Sequence, residues 1–380
     1  MKIFIDARYL RASFSGIGTY SELLIKALAR IDHTNQYLIL VHSSYRGNLE
    51  LGENFEILED KAPPVSMRTL FTLQNRVREY APDVYHSLMP LWPLALGRHY
   101  KILSTVFDLQ PLLDPLFTSG RSPLKRKGYD IFYQYSYRTC LTYADYLLTI
   151  SYATKRDIAR LVPNAAENVL TVHPGFDSTA AETPTAEQTA RVREKFDLPE
   201  RYILYLGSTR PNKNLQRMLD GFEELVKRHP DDENLRWVMV LKPDRFFDTF
   251  FATVRKKGLL RRVHIYDQVT ELEKRVLYRN AQALYFVTRF EGFGLPVLEA
   301  QGHGLPVLAS THSALPEVVG KGGLLADPDD PTSMADQLEK LLFNAEIRES
   351  VIANGRQNLK RFSWDECARE VLNMYEHLLK

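Results

Sequence analysis

Cysteine is nearly absent from this chain. Cys140 and Cys367 are the only two in 380 residues, far apart and without the paired spacing of a zinc site or a disulfide framework, so neither a structural metal nor a stapled secreted fold is expected. A reducing cytoplasm is the natural compartment. Charge of one sign is also lacking: 49 Lys and Arg stand against 47 Asp and Glu, a formal +2, which gives no broad basic field for nucleic acid or an anionic membrane. Any anionic partner must be recognised locally. Long apolar runs are missing too. Nowhere do ~18 apolar residues follow one another, and the opening MKIFIDARYL meets Asp6 before an apolar signal core can form. Neither a membrane span nor a secretory signal is expected.

What is present is alternation. Short β-rich runs (KIFIDA, YLILVH, DVYHSL, KILSTVFD, YLLTIS, VLTVHP) are separated by helical stretches such as GTYSELLIKALARI, the pattern of a parallel sheet covered by helices. It breaks at 177–190, DSTAAETPTAEQTA, whose Ala, Thr, Glu and Pro read as a surface linker. It then resumes with YILYLGS, RWVMVLKP, VHIYDQ, ALYFVTRF, PVLAS and GGLLA as strands. Leu215, Met218, Leu219, Phe222 and Leu225 recur at three- and four-residue steps and predict one buried helical face. The expectation is an α/β chain of two doubly wound, Rossmann-like domains, 1–177 and 190–362, with the C-terminal helix 363–380 rejoining the first. Ligands of such folds bind beyond the carboxyl ends of the strands, so a cleft between facing halves is the expected site.

The richest segment is RFEGFGLPVLEAQGHGLPVLAS, 289–310. Glu291 lies just past the end of a buried strand, and Glu299 about one turn into the following helix. Gly292 and Gly294 allow a sharp turn and close approach of a ligand, and Pro296 suits the first turn of a helix. The amides of Phe293, Gly294 and Leu295 would then point out of a helix N-terminus, a ready anion site. Glu299 is placed to accept hydrogen bonds from a diol such as a ribose.

EGFGLPVLEA followed by GLPVLAS and ALPEVVG closely resembles the signature of the retaining GT-B glycosyltransferases of family four, in which two glutamates flank seven residues. The similarity runs on through GSTRPNKNL, TVFDLQP, YADYLLTIS, VHPGFD and FSWDECA, over nearly the whole chain. The N-terminal DARYLRASFSGIGTYSELL is similar to bacterial O-antigen mannosyltransferases of that family. The resemblance implies transfer of a hexose, mannose from GDP-mannose being favoured, from a nucleotide-sugar donor to a glycan or lipid-linked acceptor. It further implies that configuration is retained and that no metal or cofactor is needed. On this reading Glu291 contacts the donor sugar hydroxyls and orients the reacting centre, and Glu299 holds the ribose. The two are then not the acid/base pair of a glycosidase.

A metal-free enzyme must meet the charge of a departing nucleoside diphosphate with cations and N–H dipoles. GSTRPNKN supplies Arg210 and Lys213 directly after a strand. Lys213 matches the family lysine, while Ser208 and Asn212 stand where the family commonly has basic residues, leaving Arg210 as a neighbouring substitute. Asp327 and Asp329 form a nominal DxD, but in LLADPDDPTSM they read as a turn and helix cap.

In the N-terminal half, Gly16 and Gly18 of SFSGIGTY would let a loop approach a diphosphate or sugar. Ser21 stands where a dinucleotide fingerprint needs its third glycine, and no ribose-binding acid ends the second strand; a dehydrogenase is not expected. Asp108 ends the strand of TVFDLQP, where the family often reads His-Asp and this chain has Phe107. Asp108 could bind a sugar hydroxyl or assist the acceptor, and His86 in DVYHSLMP could face the same cleft. SPLKRKGYDIFYQYSYR, 122–138, mixes Lys125, Arg126 and Lys127 with five aromatics. It is either a helix resting on a membrane interface, peripheral to its inner face, or an ordinary packed helix with a charged cap, and the sequence favours the second. A sugar-nucleotide epimerase, a phosphorylase and a non-catalytic nucleotide-sugar sensor, the last kept open by Phe107, are the competing readings.

Overall fold

The computed structural model describes residues 1–12, 15–92 and 99–380. The chain divides into two compact units, Met1–Gly175 with Phe362–Lys380, and Phe176–Arg361.

In the first unit the order is β1 (Lys2–Asp6), α1 (Gly16–Ile31), β2 (Gln36–His42), β3 (Phe55–Asp60), α2 (Met67–Tyr80), β4 (Val84–Ser87) and β5 (Lys101–Val106). It continues with α3 (Gln110–Leu113), α4 (Pro123–Tyr143), β6 (Tyr146–Thr149), α5 (Tyr152–Leu161) and β7 (Val169–Thr171). All pairings are parallel, in the order β3-β2-β1-β4-β5-β6-β7. Helices on both faces bury such a sheet twice over, which is why Ile3–Ile5 and Leu38–Val41 are continuous apolar runs. Arg8, past the end of β1, is buried at 1% exposure. Its guanidinium grips Asp6 through two bonds of 2.8 and 2.7 Å, and reaches Asp60 at the end of β3 and the hydroxyl of Thr69 in the first turn of α2. A buried cation is tolerated when it is paired in this way, and the network fixes where α2 begins.

The second unit contains α6 (Ala186–Lys195), β8 (Arg201–Ser208), α7 (Leu215–Arg228), β9 (Leu235–Lys242), α8 (Phe247–Lys256), β10 (Val263–Tyr266), α9 (Glu271–Asn280) and β11 (Ala283–Phe286). After these come α10 (Leu295–Gly302), β12 (Val307–Ser310), α11 (Leu315–Val319), β13 (Leu324–Ala326), α12 (Pro331–Phe343) and α13 (Ala345–Asn358). Its parallel sheet runs β10-β9-β8-β11-β12-β13. The α7 stripe expected from the sequence is fully buried, from Leu215 at 4% to Phe222 and Leu225 at 0%; side chains of this size contribute about 1.5–3 kcal/mol each when removed from water. The last helix, α14 (Trp364–Leu378), packs on α1 of the first unit, with the rings of Tyr20 and Trp364 edge to face at 5.6 Å.

One expectation changes. The stretch read as linker up to Ala190 already holds the first turns of α6, because Thr185 and Gln188 close a reciprocal capping box on its N-terminus. Among the described residues no helix is long and apolar enough to cross a membrane.

Candidate functional site

Each sheet reverses its winding once: between β1 and β4 in the first unit, and between β8 and β11 in the second. The carboxyl ends of strands at such a reversal form a crevice. In the second unit the loops leaving β8 and β11 are tied to each other. Arg289 donates its backbone N–H to the carbonyl of Asn212 at 2.9 Å, and the Asn212 side chain donates to the carbonyl of Phe290. Asn214, in the left-handed region at φ 61°, donates to the carbonyls of Val287 and Pro328 at 3.0 and 2.7 Å. These asparagines act as struts, and sequence reasoning missed that role. Asn212 does not stand in for a phosphate-binding cation.

The struts set Lys213 against Glu291. The two side chains, 78 positions apart in the chain, meet at 2.6 Å between Nζ and Oε1, with 20% and 12% of each exposed. Glu291 is held by its backbone as well: its N–H donates to Ser313 Oγ, and that hydroxyl donates to the Glu291 carbonyl at 2.6 Å. Ser313 takes a left-handed φ of 58° to do this, a conformation not readable from its surroundings in sequence.

Beyond Glu291 the chain turns into α10. Gly294 has φ 109°, and a Cβ there would sit 2.6 Å from Leu315 Cδ2, so both backbone and packing demand glycine. Phe293 is buried, and α10 starts at Leu295 with no side-chain cap. Glu299, one turn in, is bound at both oxygens: Lys274 donates to Oε1 at 3.2 Å and Tyr278 to Oε2 at 2.7 Å. Burial alone would lower the Lys274 pKa, but Glu299 and Glu271 outweigh it and the net shift is upward. Burial, reinforced by Glu299, pushes the Tyr278 phenol well above its ordinary value. Glu299 therefore faces a charged ammonium and a neutral hydroxyl. Lys274 and Tyr278, four apart on one face of α9, could have been recognised as neighbours, but nothing in the sequence pairs that face with α10.

Arg210 is exposed, and its guanidinium makes no ion pair or hydrogen bond among the described residues; its carbonyl accepts the Lys213 N–H at 2.9 Å. The nominal DxD behaves as a turn. Asp327 accepts from the N–H of Asp329, Asp329 pairs with Arg289, and Asp330 caps α12. Among the described residues no three acidic, His or Cys side chains are grouped to hold a metal.

In the first unit, residues 13 and 14 of SFSGIGTY lie outside the described residues. Gly16 begins α1, exposed and with open space around its Cα. Gly18 is a correction: it is buried, its N–H is spent on the Ser15 cap, and a Cβ would press to 2.9 Å on the Tyr9 carbonyl. Its glycine serves helix packing, not a ligand. Asp108, half-buried past β5, accepts the Gln110 N–H at 2.9 Å, and after burial its charge is the next cause raising the Tyr137 pKa. Phe107 packs edge-on against Tyr20 at 4.9 Å.

His86 is the second correction. It is 0% exposed, with Nδ1 2.6 Å from Tyr375 OH and Nε2 2.8 Å from Thr105 Oγ1, so it joins β4, β5 and α14 and has no face open to a ligand. Burial lowers its pKa from 6.5 to about 3. The folded chain thus keeps His86 neutral while the unfolded chain protonates it below 6.5, so this stability is complete above pH 6.5 and drains away as pH falls toward 3. The slope is at most about 1.4 kcal/mol per pH unit. Thermal melts between about pH 7 and pH 4 should show a shallower acid loss in His86→Asn than in the wild type.

Comparison with known proteins follows the two halves. Residues 14–180 match the model of "Glycosyltransferase Family 4", and residues 186–358 match that of "Glycosyl transferases group 1". The O-antigen chain mannosyltransferase B of Escherichia coli is 27% identical over 398 aligned positions that span all of both chains. Among solved structures, the sucrose-phosphate synthase of Thermosynechococcus elongatus superposes with a TM-score of 0.77 at 19% identity, covering 99% of this chain and 98% of that one. Anabaena HepE, solved in complex with UDP and glucose, gives 0.74 at 14% identity, covering 99% and 100%. At such identities the superpositions establish the GT-B fold.

Proposed function

We infer that this chain, which belongs to the GT-B glycosyltransferases of family four, moves a hexose from a nucleotide-sugar donor to a glycan or lipid-linked acceptor. Mannose carried by GDP is the favoured donor, the configuration is retained, and no metal takes part. The observation that carries the reading is the Lys213–Glu291 pair, held at 2.6 Å beside the uncapped start of α10.

A diphosphate at that helix mouth would find the Lys213 ammonium and the amides that lead into α10, from Phe293 to Leu295, a combination of cation and helix dipole suited to oxyanions. Its charge competes with Glu291 for the ammonium. The released carboxylate can then accept hydrogen bonds from donor sugar hydroxyls, while each Glu299 oxygen keeps a second lone pair for a ribose diol. Sugar, diphosphate and ribose are thus each matched by a group in one strand-turn-helix. In the first unit, Gly16 is proposed as a donor-binding residue and Asp108 as a catalytic one. Arg210, exposed on the loop after β8, is proposed as a further contact to the phosphates.

The mannosyltransferase relative, aligned over both full lengths, supports mannose, and the UDP and glucose complex of a structural neighbour supports a nucleotide-linked donor. Burial pushes both thiols, Cys140 and Cys367, up to about 12, so neither is a reactive thiolate. UDP-, GDP- and ADP-sugars can be compared by thermal shift. A donor at a hundredfold over its Kd adds about 2.7 kcal/mol, and GDP-mannose is expected to raise Tm most. A chain stabilised by none of them would end the proposal.

A further inference from the structure

Folded chains bury few polar atoms without a hydrogen bond, and each one that remains calls for a cause. Thr288 is such a case. It lies two residues past the end of β11, 1% exposed, and its Oγ1 finds no partner among the described residues. Hydroxyls at the ends of nearby strands are satisfied. Thr209, just past β8, donates to Asp244, and Ser310 at the end of β12 accepts the N–H of His312 at 3.0 Å. Among the described residues, Thr288 carries the one buried serine or threonine hydroxyl left unbonded.

The chain around it is not free to correct this. Asn214 holds the carbonyl of Val287 at 3.0 Å, the Arg289 N–H is bonded to the Asn212 carbonyl at 2.9 Å, and the Asn212 side chain reaches the carbonyl of Phe290. These struts pin the backbone on both sides of Thr288, so the hydroxyl cannot swing out to water without breaking them. An unmet hydroxyl kept dry destabilises the fold. Its direction is set by the strand, along which side chains alternate. Tyr285 points to α7, where its hydroxyl donates to the Met218 carbonyl. Phe286 points the other way, with the Lys213 ammonium 5.9 Å from its ring centre and Gly294 close by. Continued past the strand end, the alternation puts Thr288 on the Phe286 face, the side of Lys213 and the start of α10.

We propose that the Thr288 hydroxyl binds the nucleotide-sugar, giving its hydrogen bond to an oxygen of the phosphate that carries the sugar. This rests on the donor reading given above. Glu291, three residues on, takes the sugar hydroxyls in that reading, so the phosphate joined to the sugar is the one nearest Thr288. A diphosphate that draws Lys213 away from Glu291 opens the way to the hydroxyl, and a group already held by struts needs no reorganisation to receive it. The partner that the protein does not supply arrives with the substrate. Some stability of the free chain is thereby exchanged for affinity, as is common where a binding site breaks a local rule.

Thr288→Val keeps the shape of the side chain and removes the hydroxyl, while Thr288→Ser keeps the hydroxyl. Melting temperatures of the full chain, and calorimetric titrations with GDP and with GMP, test the assignment. Without nucleotide, Thr288→Val is expected to melt about 2–4 °C above the wild type, because no unmet group remains buried. It should nonetheless bind GDP roughly tenfold or more weakly, the loss of a hydrogen bond to a charged oxygen. GMP, which lacks the second phosphate, should bind to it as to the wild type, and Thr288→Ser should bind GDP as the wild type does. Stability and affinity thus move in opposite directions, which a hydroxyl already satisfied inside the protein would not allow. A Thr288→Val that melts below the wild type, that binds GDP equally well, or that loses GMP as strongly as GDP would overturn the proposal and leave the donor reading standing. A wild type that binds no nucleoside diphosphate would overturn both.

Discussion

Glu291→Gln is expected to lower turnover roughly a hundred- to thousandfold, the range found when one group stabilising a transition state is removed, while leaving affinity for the nucleoside diphosphate intact or improved. The asymmetry follows from the geometry. Glu291 occupies the Lys213 ammonium at 2.6 Å, so neutralising it releases the cation for the phosphates. What is lost is the carboxylate that would take the donor sugar hydroxyls. The backbone of the turn should survive the change, because Ser313 bonds the N–H and carbonyl of residue 291 and not its side chain. Single-turnover rates measured beside calorimetric titration with GDP separate the two effects. Full activity in the variant would remove Glu291 from the reacting centre, and a loss of diphosphate affinity equal to the loss of rate would make it a binding residue only.

The parts legible in the sequence are those whose physics is local. Strands such as Ile3–Ile5 read clearly because a parallel sheet buries both faces, and the α7 stripe because its period is that of a helix. Gly294 and Pro296 mark their turn by backbone constraints that few other residues meet. What escaped the sequence is tertiary. Lys274 and Tyr278 bind Glu299 from another helix, and Asn212 and Asn214 are struts between loops more than seventy residues apart. Local signals also misled where a second explanation existed. Gly18 resembled a ligand-facing glycine but makes room for the Tyr9 carbonyl. His86 sat at a strand end but is sealed between Tyr375 and Thr105. The capping box at Thr185 lay inside a stretch whose Ala, Thr and Glu composition suggested linker.

Lys213→Ala should weaken binding of the nucleoside diphosphate by about 1.5–3 kcal/mol, roughly ten- to a hundredfold in Kd, the contribution of a charge-assisted hydrogen bond. Its partner makes the test sharper than a single substitution. With the lysine gone, Glu291 stands at the helix mouth as an uncompensated carboxylate, facing the phosphates with charge of the same sign. Substituting both residues removes the attraction and the repulsion together. Groups in contact are non-additive for this kind of reason. The expected order of affinity is therefore wild type or Glu291→Gln first, the double variant Lys213→Ala with Glu291→Gln next, and Lys213→Ala alone weakest. A solvated lysine that merely rests on a surface glutamate gives a different pattern, with all four chains titrating alike, because exposed pairs contribute about 0–1 kcal/mol and touch no ligand. If Lys213→Ala alone kept its affinity, the diphosphate would have to bind elsewhere. If it lost affinity and the second substitution restored none of it, the phosphates would meet Lys213 without passing near Glu291, and the sugar would have to be placed by another group.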